Sequence, residues 1–202
     1  MFRGLILIWA FMLMSGVPAA WADVLPAERV MPAPSFLLVQ PNGEPLSDRP
    51  PKGVNRVWVF GFTRCGYACP MMLFNLSKLT NELSASDRDQ LEVVFVTVDP
   101  EHDTLAVIDQ YVDKFSTSFK AARPVVTDIA PWMAKIGLSL ERDDEANVGE
   151  RFEHTSRMVL QDSNGYMRAF WPVHAPKADM EADLAVLAKE RSSVLSRLRE
   201  MF

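Results

Sequence analysis

Two hydrophobic periods share this chain. Val57 to Phe62 and Val93 to Val98 are near-continuous apolar runs of strand length. They are rich in β-branched and aromatic side chains, as central strands covered on both faces require. Ser35 to Gln40 is a shorter strand candidate, closed by the turn signal Pro41-Asn42-Gly43. Between the strands the period changes to that of a helix. Met72, Leu76, Leu79 and Leu83 share one helical face, with Pro70 in the first turn. Leu105, Ile108, Val112 and Phe115 share another, and Asp103 is the expected cap. Val125-Val126-Thr127 reads as a third parallel strand, followed by a short helix near Ala130 to Ile136. Arg157 to Gln161, Ser163-Asn164-Gly165 and Tyr166 to Trp171 form a hairpin pattern. The last helix carries Met180, Leu184, Leu187, Val194 and Leu198; its stripe falters at Arg191, where a break or fraying is expected.

A βαβ start, a closing hairpin and a terminal helix describe a thioredoxin-like α/β sandwich with a central mixed sheet. The body of that domain is expected over residues 35–202. Residues 23–34 are Pro-rich and aperiodic and read as an extended arm.

The first 22 residues change the setting. Arg3, the unbroken apolar run Leu5 to Met14 and the small residues of Ala20-Trp21-Ala22 form an export signal, with cleavage expected before Asp23. An uncleaved membrane anchor is the alternative, since Gly4 to Ala22 is borderline for spanning a bilayer. Either way the domain is expected in the periplasm, soluble or tethered, and the membrane enters only through an uncleaved leader. The net charge is −5, and it is one unit more negative without Arg3. Nucleic acid and anionic surfaces are therefore not expected partners.

The chemistry concentrates in Gly61-Phe62-Thr63-Arg64-Cys65-Gly66-Tyr67-Ala68-Cys69-Pro70, which holds both cysteines of the chain. The thiol pair falls at a strand-to-helix turn, where the fold places its active site. A structural disulfide closing so short a loop would constrain the unfolded chain by only about 2 kcal/mol. A redox-active pair or a soft-metal site is the stronger reading. The helix start should lower the pKa of a cysteine, with Arg64 as a second cationic neighbour. At this spacing both sulfurs can bond to each other or face one ion, and thiolates favour Cu(I). An imidazole would separate metal binding from thiol exchange. His102 reads as an exposed residue at a helix start and His174 as part of a surface loop. His154 directly precedes the Met158-Val159-Leu160 strand, in a segment that approaches the cysteine turn in a thioredoxin-like sheet. A closed zinc site wants four protein ligands and three are in view. Met71 and Met72 read as helix packing, with Met71 the nearer to the site.

These residues resemble the Sco/SenC family of copper chaperones for cytochrome c oxidase assembly. The likeness spans roughly Phe36 to Trp171 and rests on four stretches in one order. They are Phe60 to Cys65 with Cys69-Pro70, Phe95 to Pro100 with Asp103-Thr104, Phe152 to Ser156, and the Leu160-to-Gly165 hairpin. The resemblance implies copper, as Cu(I), Cu(II) or both, held by Cys65, Cys69 and His154. It also implies delivery to the copper-bearing oxidase subunit, with a copper donor and an exported thiol reductant as further partners. The runner-up is a thiol-disulfide oxidoreductase, which uses Cys65 and Cys69 but not His154. Where the family usually has proline and then an acid after the first cysteine, this chain has Gly66 and Tyr67. Glu153 replaces the usual aspartate before the histidine.

Overall fold

The computed structural model describes Leu25 and residues 31–143 and 152–200. The side chains of Glu153, His154 and residues 195–200 lie outside that description, as do the leader and most of the arm. The strands are β1 (Met31–Pro32), β2 (Leu38–Val39), β3 (Pro45–Leu46), β4 (Asn55–Gly61), β5 (Leu91–Thr97), β6 (Lys120–Pro124), β7 (Leu140–Arg142), β8 (Phe152–His154), β9 (Arg157–Gln161) and β10 (Tyr166–Pro172). The helices are α1 (Ala68–Glu82), α2 (Ala85–Arg88), α3 (Leu105–Asp113), α4 (Ala130–Lys135) and α5 (Lys177–Glu200). Eight strands form one sheet in the order β1-β10-β9-β4-β5-β6-β2-β3. β4, β5 and β6 are parallel, and the strands on either flank are antiparallel. β7 and β8 make a separate two-stranded ribbon. Among the described residues no helix is long and apolar enough to cross a membrane.

The continuous apolar runs explain the layering. Every residue of β4 is buried, and successive side chains point to opposite faces. Val57 and Val59 join Val93, Phe95, Leu73, Leu76, Ile108 and Met180 in one core. Trp58 and Phe60 join Val94, Val96, Trp132, Met133 and Leu38 in the other. The sheet is thus sandwiched between α1, α3 and α5 on one side and α4 with its neighbouring segments on the other. This places the carboxyl end of β4 and the start of α1 side by side, and the cysteines lie between them.

Four local expectations are corrected. The third parallel strand is β6, and Val125 and Val126 lie beyond it at 59% and 58% exposure. Ala121, Ala122 and Pro124 fill the strand's buried positions, while Lys120 pairs with Glu92. Register against β5 outweighed the β-branched preference of the two valines. The strand candidate over Ser35 to Gln40 shortens to β2, paired on one edge with β3 and on the other with β6. α3 is capped by Thr104, whose hydroxyl accepts the Val107 N–H at 3.3 Å; Asp103 is turned inward. α5 runs unbroken past Arg191, which leaves the apolar stripe because its guanidinium donates to the Gly53 carbonyl at 2.5 Å and to Gln90.

Candidate metal centre

β4 ends at Gly61, and six residues separate it from α1. Phe62 is buried, and the Cys65 N–H turns back to its carbonyl at 3.2 Å. Cys65 therefore precedes the helix, whereas Cys69 lies within its first turn. The side chain of Tyr67, the residue before the helix, makes no capping hydrogen bond. A sulfur takes that place: the Cys69 N–H donates to Cys65 Sγ at 3.5 Å. An unpaired N–H at a helix start is a ready partner for an electron-rich atom. Neither cysteine is in a disulfide; Cys65 is half-buried and Cys69 fully buried.

At Cys69 the electrostatics run against what a helix start alone would give. The neighbouring Cys65 sulfur, ahead of burial itself, holds the Cys69 thiol well above its ordinary pKa. Burial in an apolar core also disfavours the thiolate. Arg64 is not an uncompensated cation beside the thiols either, because it pairs with the buried Asp99.

Two carboxylates from the connection between β5 and α3 hold the loop. Asp103, 1% exposed, accepts the Thr63 N–H at 3.0 Å, the Thr63 hydroxyl at 2.6 Å and the Thr97 hydroxyl at 2.6 Å. Asp99 takes Arg64 on one oxygen and His102 Nδ1 on the other, the latter at 2.9 Å. His102 is thus engaged at the site's edge rather than merely exposed. Glu101 beside it pairs with Arg142. On the far side of the loop, the Tyr67 hydroxyl lies 3.0 Å from His174 Nε2, between two exposed residues. Sequence reasoning assigned none of these supports. The visible signal was the position of Thr97, Asp99 and Asp103 at the carboxyl end of a buried parallel strand, where polar residues face the switch between elements.

His154 ends β8, opposite Leu140 of β7. Phe152, two residues earlier, packs against Phe62 with ring centroids 5.3 Å apart. In the sheet, Val59 of β4 lies opposite Met158 of β9. The segment preceding β9 therefore emerges at the same end as Gly61 and the cysteine loop. The structure brings the backbone of all three candidate residues to one edge of the molecule; the His154 side chain is outside the described part. Of the flanking methionines, Met72 is buried and Met71 half-buried.

On the core side, Phe95 and Tyr111 close the space below Cys69, with ring centroids 5.5 Å apart. The Tyr111 hydroxyl is buried and has no hydrogen-bond partner among the described residues. Burial, followed by the neighbouring Cys69, pushes its pKa upward.

A mixed sheet with helices on both faces, and a dithiol between its central strand and a helix start, defines a thioredoxin-like α/β protein. The SCO1/SenC family model matches residues 26–189, and the chain belongs to that family. A SCO2-like protein of Rickettsia felis is 31% identical over 151 residues, covering 72% of this chain and 72% of its own. The copper-bound structure of Bradyrhizobium japonicum ScoI superposes with a TM-score of 0.67 at 24% identity, over 78% of this chain and 99% of ScoI. BsSco, a member of the Sco family of cytochrome c oxidase assembly proteins in which a disulfide switch was identified, matches with a TM-score of 0.64 at 17% identity, over 79% of this chain and 94% of BsSco.

Proposed function

We propose that this protein is a copper-binding metallochaperone. In this reading Cys65 and Cys69 supply two thiolates and His154 an imidazole to one copper ion. Exported to the periplasm, the protein passes copper to the dinuclear centre of cytochrome c oxidase. Copper is its cargo, and an exported reductant keeps the sulfurs available as ligands. One observation carries the reading: the strand bearing His154 packs through Phe152 onto Phe62, three residues before Cys65. Thiol exchange does not need an imidazole there. Two soft thiolates and a nitrogen suit copper well, and family membership supports the same cargo.

The test is X-ray absorption on the mature, reduced protein loaded with one equivalent of copper. Two sulfurs and one nitrogen per copper are expected. His154→Ala should lose the nitrogen and weaken binding while both thiols still form a disulfide. A copper shell with no histidine nitrogen, unchanged in His154→Ala, would overturn the assignment. Thiol-disulfide exchange is the second reading. It is favoured by the pairing of a half-buried Cys65 with a buried Cys69, since one accessible thiol can attack and the other resolve. Normal oxidase copper content in a His154→Ala strain would select it.

A further inference from the structure

Gly61 is the last residue of β4, and its backbone does not require glycine: it is absent from the residues with positive φ. Space is the constraint. A Cβ at this position would lie 2.4 Å from Cys69 Sγ, 3.4 Å from Cys69 Cβ and 3.3 Å from Phe95 Cε2. The strand cannot withdraw to make room. Gly61 is paired with Thr97 of β5, and its carbonyl accepts the Val98 N–H at 2.7 Å. Phe95 cannot readily yield either, being fully buried and packed on Tyr111. Any side chain here is therefore accommodated by moving the Cys69 sulfur, by about 1 Å to reach ordinary contact. Gly66, between the two cysteines, has nothing within 4 Å of the same hypothetical atom.

We propose that Gly61 is a positioning residue for the dithiol. The hydrogen at its Cα leaves a slot that the Cys69 sulfur fills, and this sets the second sulfur relative to the first. The role in copper binding rests on the function proposed above; the steric role does not. Gly61→Ala should lower Cu(I) affinity about tenfold or more, the scale on which residues supporting metal ligands act. It should also lengthen or remove one copper–sulfur contact in X-ray absorption. Gly66→Ala should match the parent protein in both measurements.

A double-mutant cycle keeps the steric claim testable without copper, and even if Gly61→Ala folds poorly. Cys69→Ala removes the sulfur from the slot and leaves only the milder 3.3 Å and 3.4 Å contacts, so Gly61→Ala should destabilise the parent protein much more than the Cys69→Ala background. Coupling between neighbours in contact is what such a cycle isolates. Equal destabilisation in both backgrounds, or parent-like copper affinity with two intact sulfur contacts in Gly61→Ala, would overturn the proposal. If the parent protein binds no copper, the proposed function fails, and the cycle alone still decides the role of Gly61.

Discussion

The two halves of the cysteine loop are held in different ways. Its root, Phe62 to Cys65, is tied to the interior. Buried Asp103 takes both polar groups of Thr63, Asp99 takes Arg64, and Phe62 lies in the core. Its crest, Gly66 and Tyr67, stands in solvent with Tyr67 at 60% exposure, and the Tyr67 hydroxyl reaches across to His174. The root sets where Cys65 starts and the slot beside Gly61 sets where Cys69 ends. Gly66, with nothing within 4 Å of an added Cβ, is where a substitution should move the sulfurs least. Both replacements of the usual proline and acid, Gly66 and Tyr67, fall on this crest, where a substitution touches least. Rigidity in the site thus comes from the ties of the root to buried Asp103 and Asp99, not from the exposed crest.

That contrast can be broken most forcefully at Asp103. Asp103→Ala leaves the buried Thr97 hydroxyl and the half-buried Thr63 hydroxyl and N–H without their acceptor. It should cost about 3 kcal/mol of folding stability, since deleting one partner of a buried charged hydrogen-bond group exacts the desolvation of the others. Denaturant unfolding of the reduced protein measures it. Asp103→Asn, which keeps one acceptor oxygen and the shape, should recover part of the loss. If Asp103→Ala unfolds at the parent midpoint, the root is not anchored as described.

Arg64→Gln is the intermediate case. It leaves Asp99 with His102 and the Thr97 region, and Arg64 is itself partly exposed, so solvent screens much of the pair. A loss of about 1 kcal/mol is expected, with a smaller loss at high salt. A salt-independent change would point to packing of the Arg64 stem instead of its charge.

His174→Ala should do least. The contact it removes joins two exposed side chains, and such changes stay within about 0.5 kcal/mol. Copper affinity should be unchanged, as measured by competition with a Cu(I) chelator. A tenfold drop in affinity would show that the crest, too, positions the sulfurs.

Much of this architecture was readable from local pattern. Unbroken apolar runs marked β4 and β5 because strands buried on both faces admit no polar alternation. The four-three spacing of Met72, Leu76 and Leu79 marked the buried face of α1. Ser163-Asn164-Gly165 marked the hairpin turn, where Gly165 takes a φ of 90°. The thiol pair at the strand-to-helix turn and the place of His154 before β9 were likewise visible, because both depend on element order alone. Other features depended on partners distant in sequence. Asp103 looked like a helix cap because capping is a local bond; its true partner Thr63 lies forty residues away. Arg191 looked like a break in a stripe because its ties to Gly53 and Gln90 cross between elements. Gly61 looked like an ordinary strand end, and only the packed sulfur of Cys69 shows why no larger residue fits. A helix start suggested a lowered pKa for one of the cysteines, yet the Cys65 sulfur and burial raise that of Cys69. Periodicity along a chain records which side of an element is buried. What that side meets there, and how its charges are answered, is settled only when the sheet and helices close on one another.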